Sequence, residues 1–476
     1  MLTHFRDGRG ASRLGQAGLA HSLKSAGVKR ELHKLAGSDA ASADLVDAAP
    51  AAQPGIDGSV RRRVLMIVEN LPVPFDRRVW SEASTLSRHG YEVSIICPKG
   101  PGATASFEII DGIAVYRHWL PREGRGVLGY LAEYSAALFW EFVLSVKVLT
   151  TRGFDVVHAC NPPDLIFVVG AFHKFLFGKS FIFDQHDINP ELYEAKFGHR
   201  GFLWRVMVLL ERITFALSDV SIATNQSYRA VALERGRMNP DRVFVVRSGP
   251  NLSRVRSLRP DPAWKNGRKF LVAYVGVIGK QEGIDLLLEA IRHIRRRRNR
   301  DDVQFVIVGS GPELEEVKKL ATAFELDDLV TFTGRVDDAT LFTILSTADV
   351  CVNPDRPNAM NDKSTMNKIM EYMALGKPIV QFDLTEGRVS AGEASLYARN
   401  TDTADFGDKV LELVDDPVRR DRMGAFGRKR IHDELAWDHE TANLLGAYEK
   451  AFNLRFSPGR QRRAAVPELS RHDSPG

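Results

Sequence analysis

The sequence predicts an α/β protein of two Rossmann-like, doubly wound domains facing each other across a cleft. Three observations carry that expectation. The chain has 476 residues, more than one compact core accommodates. Strand-like apolar runs alternate with helical patterns from Val64 onward, and the series restarts after a stretch rich in proline and glycine. The strands are continuously apolar, as in a parallel sheet covered on both faces.

The first series runs VLMIVE (64–69), a helix over 77–89, YEVSIIC (91–97), a hairpin near 107–118 and a long apolar helix. It continues with DVVHA (155–159), a helix from Pro162, SFIFD (180–184), helices to 217, DVSIA (219–223), another helix and RVFVV (242–246). Residues 247–268, with Gly249, Pro250, Pro260, Pro262 and Gly267, read as a linker. The second series is FLVAYVG (270–276), a helix from Ile284, VQFVIVG (303–309), a helix over 313–325, LVTFTG (329–334), a helix over 338–346, DVCVN (349–353), a helix over 365–375 and PIVQF (378–382). The expected organisation is a disordered extension over 1–60, a first domain over 61–250 and a second over 251–436. A C-terminal helix over 437–454 packs back on the first domain, and a basic disordered tail covers 455–476.

The formal net charge is +5, but residues 1–60 carry seven Lys and Arg against six Asp and Glu, and 455–476 carry five against two. The body is nearly neutral, which argues against a nucleic-acid partner. Cys97, Cys160 and Cys351 lie in apolar surroundings without a CxxC pair and read as buried free thiols of a reducing compartment, with no metal site. The first sixty residues lack an apolar targeting core, and no run of about 18 apolar residues exists, so the expected location is cytoplasmic.

The stretch NDKSTMNKIMEYMALGKPIV (361–380) concentrates chemistry. Ser364 reads as an N-cap, and Gly376 and Pro378 end the helix, so Lys363 falls just before a helix N-terminus. A cation there opposes the helix dipole unless an anion lies between, and an ammonium beside orphan N–H groups makes a phosphate site. Lys368 and Glu371 share a face; a solvated pair is the plainer reading, with Met366, Ile369, Met370 and Met373 as the buried stripe. The turns YVGVIG and VIVGSG each follow a strand and open a helix, as backbone approach to phosphate requires, although such glycines also serve close packing alone. No GxGxxG with a downstream acid follows the first strand of either half, so nicotinamide chemistry loses its main support.

In the first half, FIFDQHDINPELY (181–193) places His186 and Asp187 just after a strand, with Asn189 and Pro190 opening the next helix. The pair either faces the cleft or ties down its loop. His158 and Asn161 end the preceding strand, His158 inside an apolar run that suits a core residue. Pro74, Asp76 and Arg78 follow the first strand.

With VAYVGVIGKQEGIDLLLEAI (272–291), FVIVGSGPELEEVKKLA (305–321) and VTFTGRV (330–336), the 361–380 stretch resembles the donor half of a family 4 retaining glycosyltransferase, and the resemblance spans about residues 62–453. It implies the GT-B fold, a nucleotide diphosphate-sugar in the second domain, an acceptor in the first, and transfer without an essential metal or other cofactor. By that resemblance Glu371 accepts the ribose hydroxyls, Gly276, Gly279, Lys280, Gly309 and Gly311 line the donor, and Val336 lies near the base. His186, with Asp187, donates a hydrogen bond to the transferring sugar, and Arg78 and Asn161 stand on the acceptor side. Two places depart from the family. Its diphosphate clamp of Arg and Lys is replaced by Val277 and Glu282, leaving Lys280, Lys363 and Lys368 as the cations, and eight residues before Glu371, where a second Glu is common, stands Lys363.

The resemblance implies a UDP-sugar donor and a glycan or lipid-linked acceptor in cell-surface polysaccharide synthesis. The alternative is a non-catalytic sugar-nucleotide-binding scaffold of the same fold. The aromatic-rich helix over 126–149 is either buried or a peripheral contact with the inner face of the membrane, and the run RHIRRRRNRDD (292–302) reads as a solvated helix end.

Overall fold

The computed structural model describes residues 62–100, 102–120 and 127–455; the expected extension over 1–60 and the tail beyond Arg455 lie outside them. Two sheets organise the chain. The first joins β1 (Arg63–Ile67), β2 (Glu92–Pro98), β3 (Phe107–Ile110), β4 (Ile113–His118), β5 (Val156–Cys160), β6 (Ser180–Gln185), β7 (Val220–Ala223) and β8 (Val243–Val245) in the order β3-β4-β2-β1-β5-β6-β7-β8. All its pairings are parallel except the β3–β4 hairpin. The second joins β9 (Phe270–Val275), β10 (Val303–Val308), β11 (Val330–Gly334), β12 (Val350–Asn353), β13 (Ile379–Phe382) and β14 (Ser395–Ala398) in the order β11-β10-β9-β12-β13-β14, parallel throughout. In both, the strand order reverses beside the first strand of the series, the doubly wound pattern that opens a crevice at the carboxyl edge.

The helices of the first lobe are α1 (Arg77–Arg88), α2 (Val127–Thr151), α3 (Phe167–Phe177), α4 (Asn189–Phe197), α5 (Phe202–Leu217) and α6 (Gln226–Ala230). Those that follow are α7 (Ile284–Arg298), α8 (Leu314–Ala323), α9 (Asp338–Thr347), α10 (Asn367–Ala374), α11 (Thr385–Ala391), α12 (Thr403–Asp415), α13 (Pro417–Arg430) and α14 (Trp437–Arg455). Asp76 caps α1 by accepting from the Val79 amide at 3.1 Å. The arginines ending α7 complement its dipole and pair with Asp328, Glu325 and Asp408, the solvated helix end.

The last helix returns to the first lobe. Leu444, Ala447, Tyr448 and Ala451 of α14 are fully buried in the same core as Val64, Met66, Ile95 and Ile182. Its ends are fastened by polar contacts: the Trp437 indole donates to Thr85 Oγ1 at 2.9 Å and Ser180 Oγ donates to the Ala451 carbonyl at 2.8 Å. The chain thereby closes one face of the first sheet with its final helix, while α2, α3 and α5 close the other. Leu444→Ala opens a cavity under this helix and is expected to lower the unfolding free energy by about 2–5 kcal/mol. A shifted urea midpoint at constant slope checks this; an unshifted one would mean that α14 is not part of the core.

Candidate active site at the junction of the two sheets

At the carboxyl edge of the first sheet a guanidinium is buried. Arg78, in the first turn of α1, reaches β6: Nη2 donates to Asp184 Oδ1 at 2.9 Å and Nε to Oδ2 at 3.2 Å. Nη1 donates to the Val246 carbonyl at 2.8 Å and to Ser248 Oγ at 3.1 Å, where the chain leaves β8. Glu82 lies 3.1 Å from Nη2 but makes no well-directed hydrogen bond, and burial next to Asp184 pushes its carboxyl well above the usual range. Asp184, despite its own burial, is held well below that range by Arg78 and His186. The region thus contains one full ion pair and a neutral Glu82. Arg78 is therefore a brace and not a residue facing an acceptor; the helical phase of Val79, Glu82, Ala83 and Leu86 puts it on the inner side.

The loop after β6 is set by Asn161. Its Oδ1 accepts from the amides of His186 at 2.7 Å and Asp187 at 3.1 Å, and its Nδ2 donates to Asp164 Oδ1 and the Asp187 carbonyl. All its hydrogen-bonding capacity is spent on the protein and it is 1% exposed, which corrects the acceptor-side assignment. Asp187 is also buried, beside Tyr228 and Asp164, whose ionisation its charge disfavours, so it is part of the loop's frame. His186 alone of this group keeps access to the cleft, with a side chain 14% exposed. Its Nε2 lies 2.6 Å from Asp184 Oδ2 and 3.1 Å from Arg78 Nε. The ionised carboxylate offers no proton at 2.6 Å, so Nε2 carries the proton and donates to Asp184, the Arg78 Nε–H is then taken by Asp184 Oδ2 and not by the imidazole, and Nδ1 has no partner among the described residues. Neutral His186 therefore presents an acceptor, not the donor expected from the resemblance; only its protonated form donates from Nδ1. Behind it, His158 is buried, kept neutral by desolvation, and bonded through Nδ1 to the Tyr448 hydroxyl of α14 at 2.7 Å.

In the second lobe the glycine turns pack against each other. The Gly276 amide donates to the Val308 carbonyl and Ile278 to the Ser310 carbonyl. A Cβ on Gly309, whose φ is +142°, would overlap the Gly276 carbonyl, and one on Gly311 the Ile278 carbonyl. A Cβ on Gly276 would stand 2.6 Å from the Tyr274 hydroxyl and one on Gly279 2.7 Å from Glu282 Oε2. Backbone packing by itself thus accounts for Gly309 and Gly311, whereas the neighbour of Gly279 is the flexible end of a side chain that can move aside. Lys280 is exposed and Val336 half-buried. Lys368 Nζ lies 2.9 Å from buried Asp355 and 4.8 Å above the Tyr274 ring. Burial, then the nearby Asp355, pushes Glu282 up to about 7. Where the family carries a clamp lysine, this chain holds an acid that ionises near neutrality.

The two carboxyl edges meet through α10. This helix begins at Asn367, after a single turn over Asn361–Lys363, and not at the Ser364 cap expected from the sequence. Ser364 Oγ instead donates to the Met360 carbonyl and sits 3.1 Å from the Tyr228 hydroxyl of the first lobe. Asn225, at the end of β7, donates to the Lys363 carbonyl and to Thr365 Oγ1. Lys363 Nζ pairs at 3.0 Å with Glu191 of α4, which Arg235 also grips bidentately at 2.9 and 3.0 Å. Glu371 lies 3.1 Å from Arg77 of α1 and 3.5 Å from Arg254 of the linker, and both arginines also reach Asp338. Sequence reasoning missed Arg77, Arg254, Glu191 and Asn225; for Arg77 the signal was its place one residue before buried Arg78, on the helix flank.

His158, Cys160 and Asp184 bring ligand atoms within 4.8 Å of one another. They do not suit a cation: Arg78 occupies both Asp184 oxygens, and burial drives the Cys160 thiol well above its usual range.

Two family models match in tandem, Glycosyltransferase Family 4 over residues 76–254 and Glycosyl transferases group 1 over 269–416. Alpha-D-kanosaminyltransferase of Streptomyces kanamyceticus is 31% identical over 155 residues, 32% of this chain and 38% of that protein. GDP-mannose-dependent alpha-(1-6)-phosphatidylinositol monomannoside mannosyltransferase of Mycobacterium tuberculosis is 31% identical over 198 residues, 39% of this chain and 51% of that protein. The chain thus spans about half or less of the length of these curated relatives. Sucrose-phosphate synthase from Thermosynechococcus elongatus superposes with a TM-score of 0.69 at 19% identity, over 83% of this chain and 100% of that one. HepE of Anabaena, solved with UDP and glucose, superposes at 0.60 and 15% identity over 82% and 100%. At these identities the superpositions speak for the fold, which is GT-B. Both lobes are covered by the tandem models, and the chain belongs to glycosyltransferase family 4.

Proposed function

We propose that the protein transfers a sugar, with retention of configuration and without a metal or other cofactor, from a nucleotide diphosphate-sugar to a glycan or lipid-linked acceptor at the cytoplasmic face of a membrane, in cell-surface polysaccharide synthesis. The mycobacterial relative is named for GDP-mannose and the Anabaena structure holds UDP, which supports a UDP- or GDP-sugar donor. No described helix is long and apolar enough to cross a membrane.

The observation that carries this reading is the position of Glu371, a carboxylate that shares two arginines with the more exposed Asp338 where the two sheet edges meet. Ribose hydroxyls take over that carboxylate when donor binds, and Arg77 and Arg254 then join Lys280 as cations able to face the diphosphate. This replaces the missing clamp, and no divalent ion is required. His186, oriented by Asp184, accepts a hydroxyl of the bound sugar at Nδ1, or donates to it when protonated. Catalysis is then mainly positioning and stabilisation of the oxocarbenium-like state and the departing diphosphate.

Glu371→Gln is expected to weaken nucleoside diphosphate binding about tenfold, roughly 1.4 kcal/mol. His186→Ala is expected to depress turnover strongly with affinity within a few fold; calorimetry and transfer rates on both variants test this, and loss of turnover, affinity and melting temperature together in His186→Ala would make His186 a loop residue. Binding without any transfer or hydrolysis by the unmodified protein would leave only a scaffold role. Diphosphate affinity should also fall as pH rises through about 7, because ionised Glu282 adds negative charge beside the donor, and the slope should flatten in Glu282→Gln. Transfer should persist in excess chelator; activity restored only by Mg²⁺ or Mn²⁺ would require a different site.

A further inference from the structure

The outward side of the first lobe has no partner among the described residues. Helices α2, α3 and α5 lie side by side over one face of the sheet, α3 packing against both neighbours. More than half of the large apolar side chains exposed among the described residues belong to these three helices. Phe139 and Trp140 represent α2, Phe175 and Leu176 are 70% and 65% exposed on α3, and Phe202 is 78% exposed on α5. The acids of these helices among the described residues whose burial is defined, Glu141 and Glu211, are both buried, whereas Lys147, Arg205 and Arg212 are exposed. A solvated surface normally interleaves both signs of charge.

On α5 the stripe continues at helical spacing through Phe202, Arg205, Leu209, Arg212 and Ala216. It ends at a cavity of about 480 Å³ lined by Arg212, Ala216, Arg235, Arg237, Asn239 and Arg242. Arg235 is committed to Glu191 and Glu211, but Arg212, Arg237 and Arg242 make no ion pair among the described residues. An apolar, aromatic face with no exposed acid among the residues whose burial is defined, leading to guanidiniums without an ion pair among the described residues, matches acyl chains and anionic headgroups lying side by side. A second copy matches it poorly, because a two-fold contact would set cations against cations.

We infer that α3 and α5, with this cavity, dock the protein on an anionic phospholipid surface, the cavity receiving headgroup phosphate. The site extends the proposal of a membrane-borne acceptor from the helix over 126–149 to a different pair of helices.

The full chain should float with vesicles of phosphatidylcholine and phosphatidylglycerol and much less with phosphatidylcholine alone. Phe175→Ser/Leu176→Ser and Arg212→Glu/Arg242→Glu should each weaken anionic-vesicle binding about tenfold, with melting temperature and hydrolysis of a soluble nucleotide-sugar unchanged. Retention of the unmodified protein in the supernatant, or flotation of both variants like the parent, would overturn the inference. So would a dimer in sedimentation that Phe175→Ser/Leu176→Ser dissolves, which would give the face to a second copy. Vesicle binding needs neither donor nor acceptor, so flotation without any transferase activity would count against the catalytic reading alone.

Discussion

Arg78 and Asp184 carry opposite charges into a part of the first lobe almost closed to water, and three separate elements meet on them. Arg78 starts α1, Asp184 lies near the end of β6, and the Val246 carbonyl and Ser248 belong to the exit from β8. Breaking such a pair from one side strands a buried charge, at a cost of about 3–5 kcal/mol, so the three elements keep one relative position. The neutral state of Glu82 belongs to the same balance, since a second carboxylate there would leave excess negative charge. His186 inherits its orientation from this pair through the 2.6 Å contact with Asp184. The final helix also reaches it, by way of Tyr448 and His158.

The junction of the lobes follows a different electrostatic logic. Its cations are engaged by carboxylates of the protein itself: Lys363 by Glu191, Lys368 by Asp355, Arg77 and Arg254 by Glu371 and Asp338. Half of these contacts cross between the lobes and are partly exposed, so their net worth is small and an incoming anion competes with them at modest cost. The buried Arg78 pair is fixed and the cross-lobe pairs are exchangeable. Burial makes that distinction, not residue type.

The glycine turns of the second lobe join fold and site. Gly309 and Gly311 bring two loops into backbone contact, and the same turns end at the junction beside Lys368 and Glu282. Close loop packing and an open approach to a phosphate need the same missing side chain, so glycine at these positions does not distinguish one use from the other.

Hydrophobic period and turn residues determined the fold: two series of continuously apolar strands, each followed by a helix, leave only two doubly wound sheets. They also marked the loops at the carboxyl edges, because strand ends are local features. What side chains do within those loops was decided elsewhere. Arg78 and Asn161 read as cleft residues and are framework, because the partners that consume them come from β6 and the β6 loop. The start of α10 lies at Asn367 and not at the expected Thr365, because Tyr228 and Asn225 of the other lobe hold the preceding residues out of the helix. Arg77 and Glu371 are 294 positions apart and Lys363 and Glu191 172 apart, and only the folded topology brings them within hydrogen-bonding reach. Backbone form and burial follow from neighbours along the chain, whereas the charge and orientation of a polar group follow from neighbours in space.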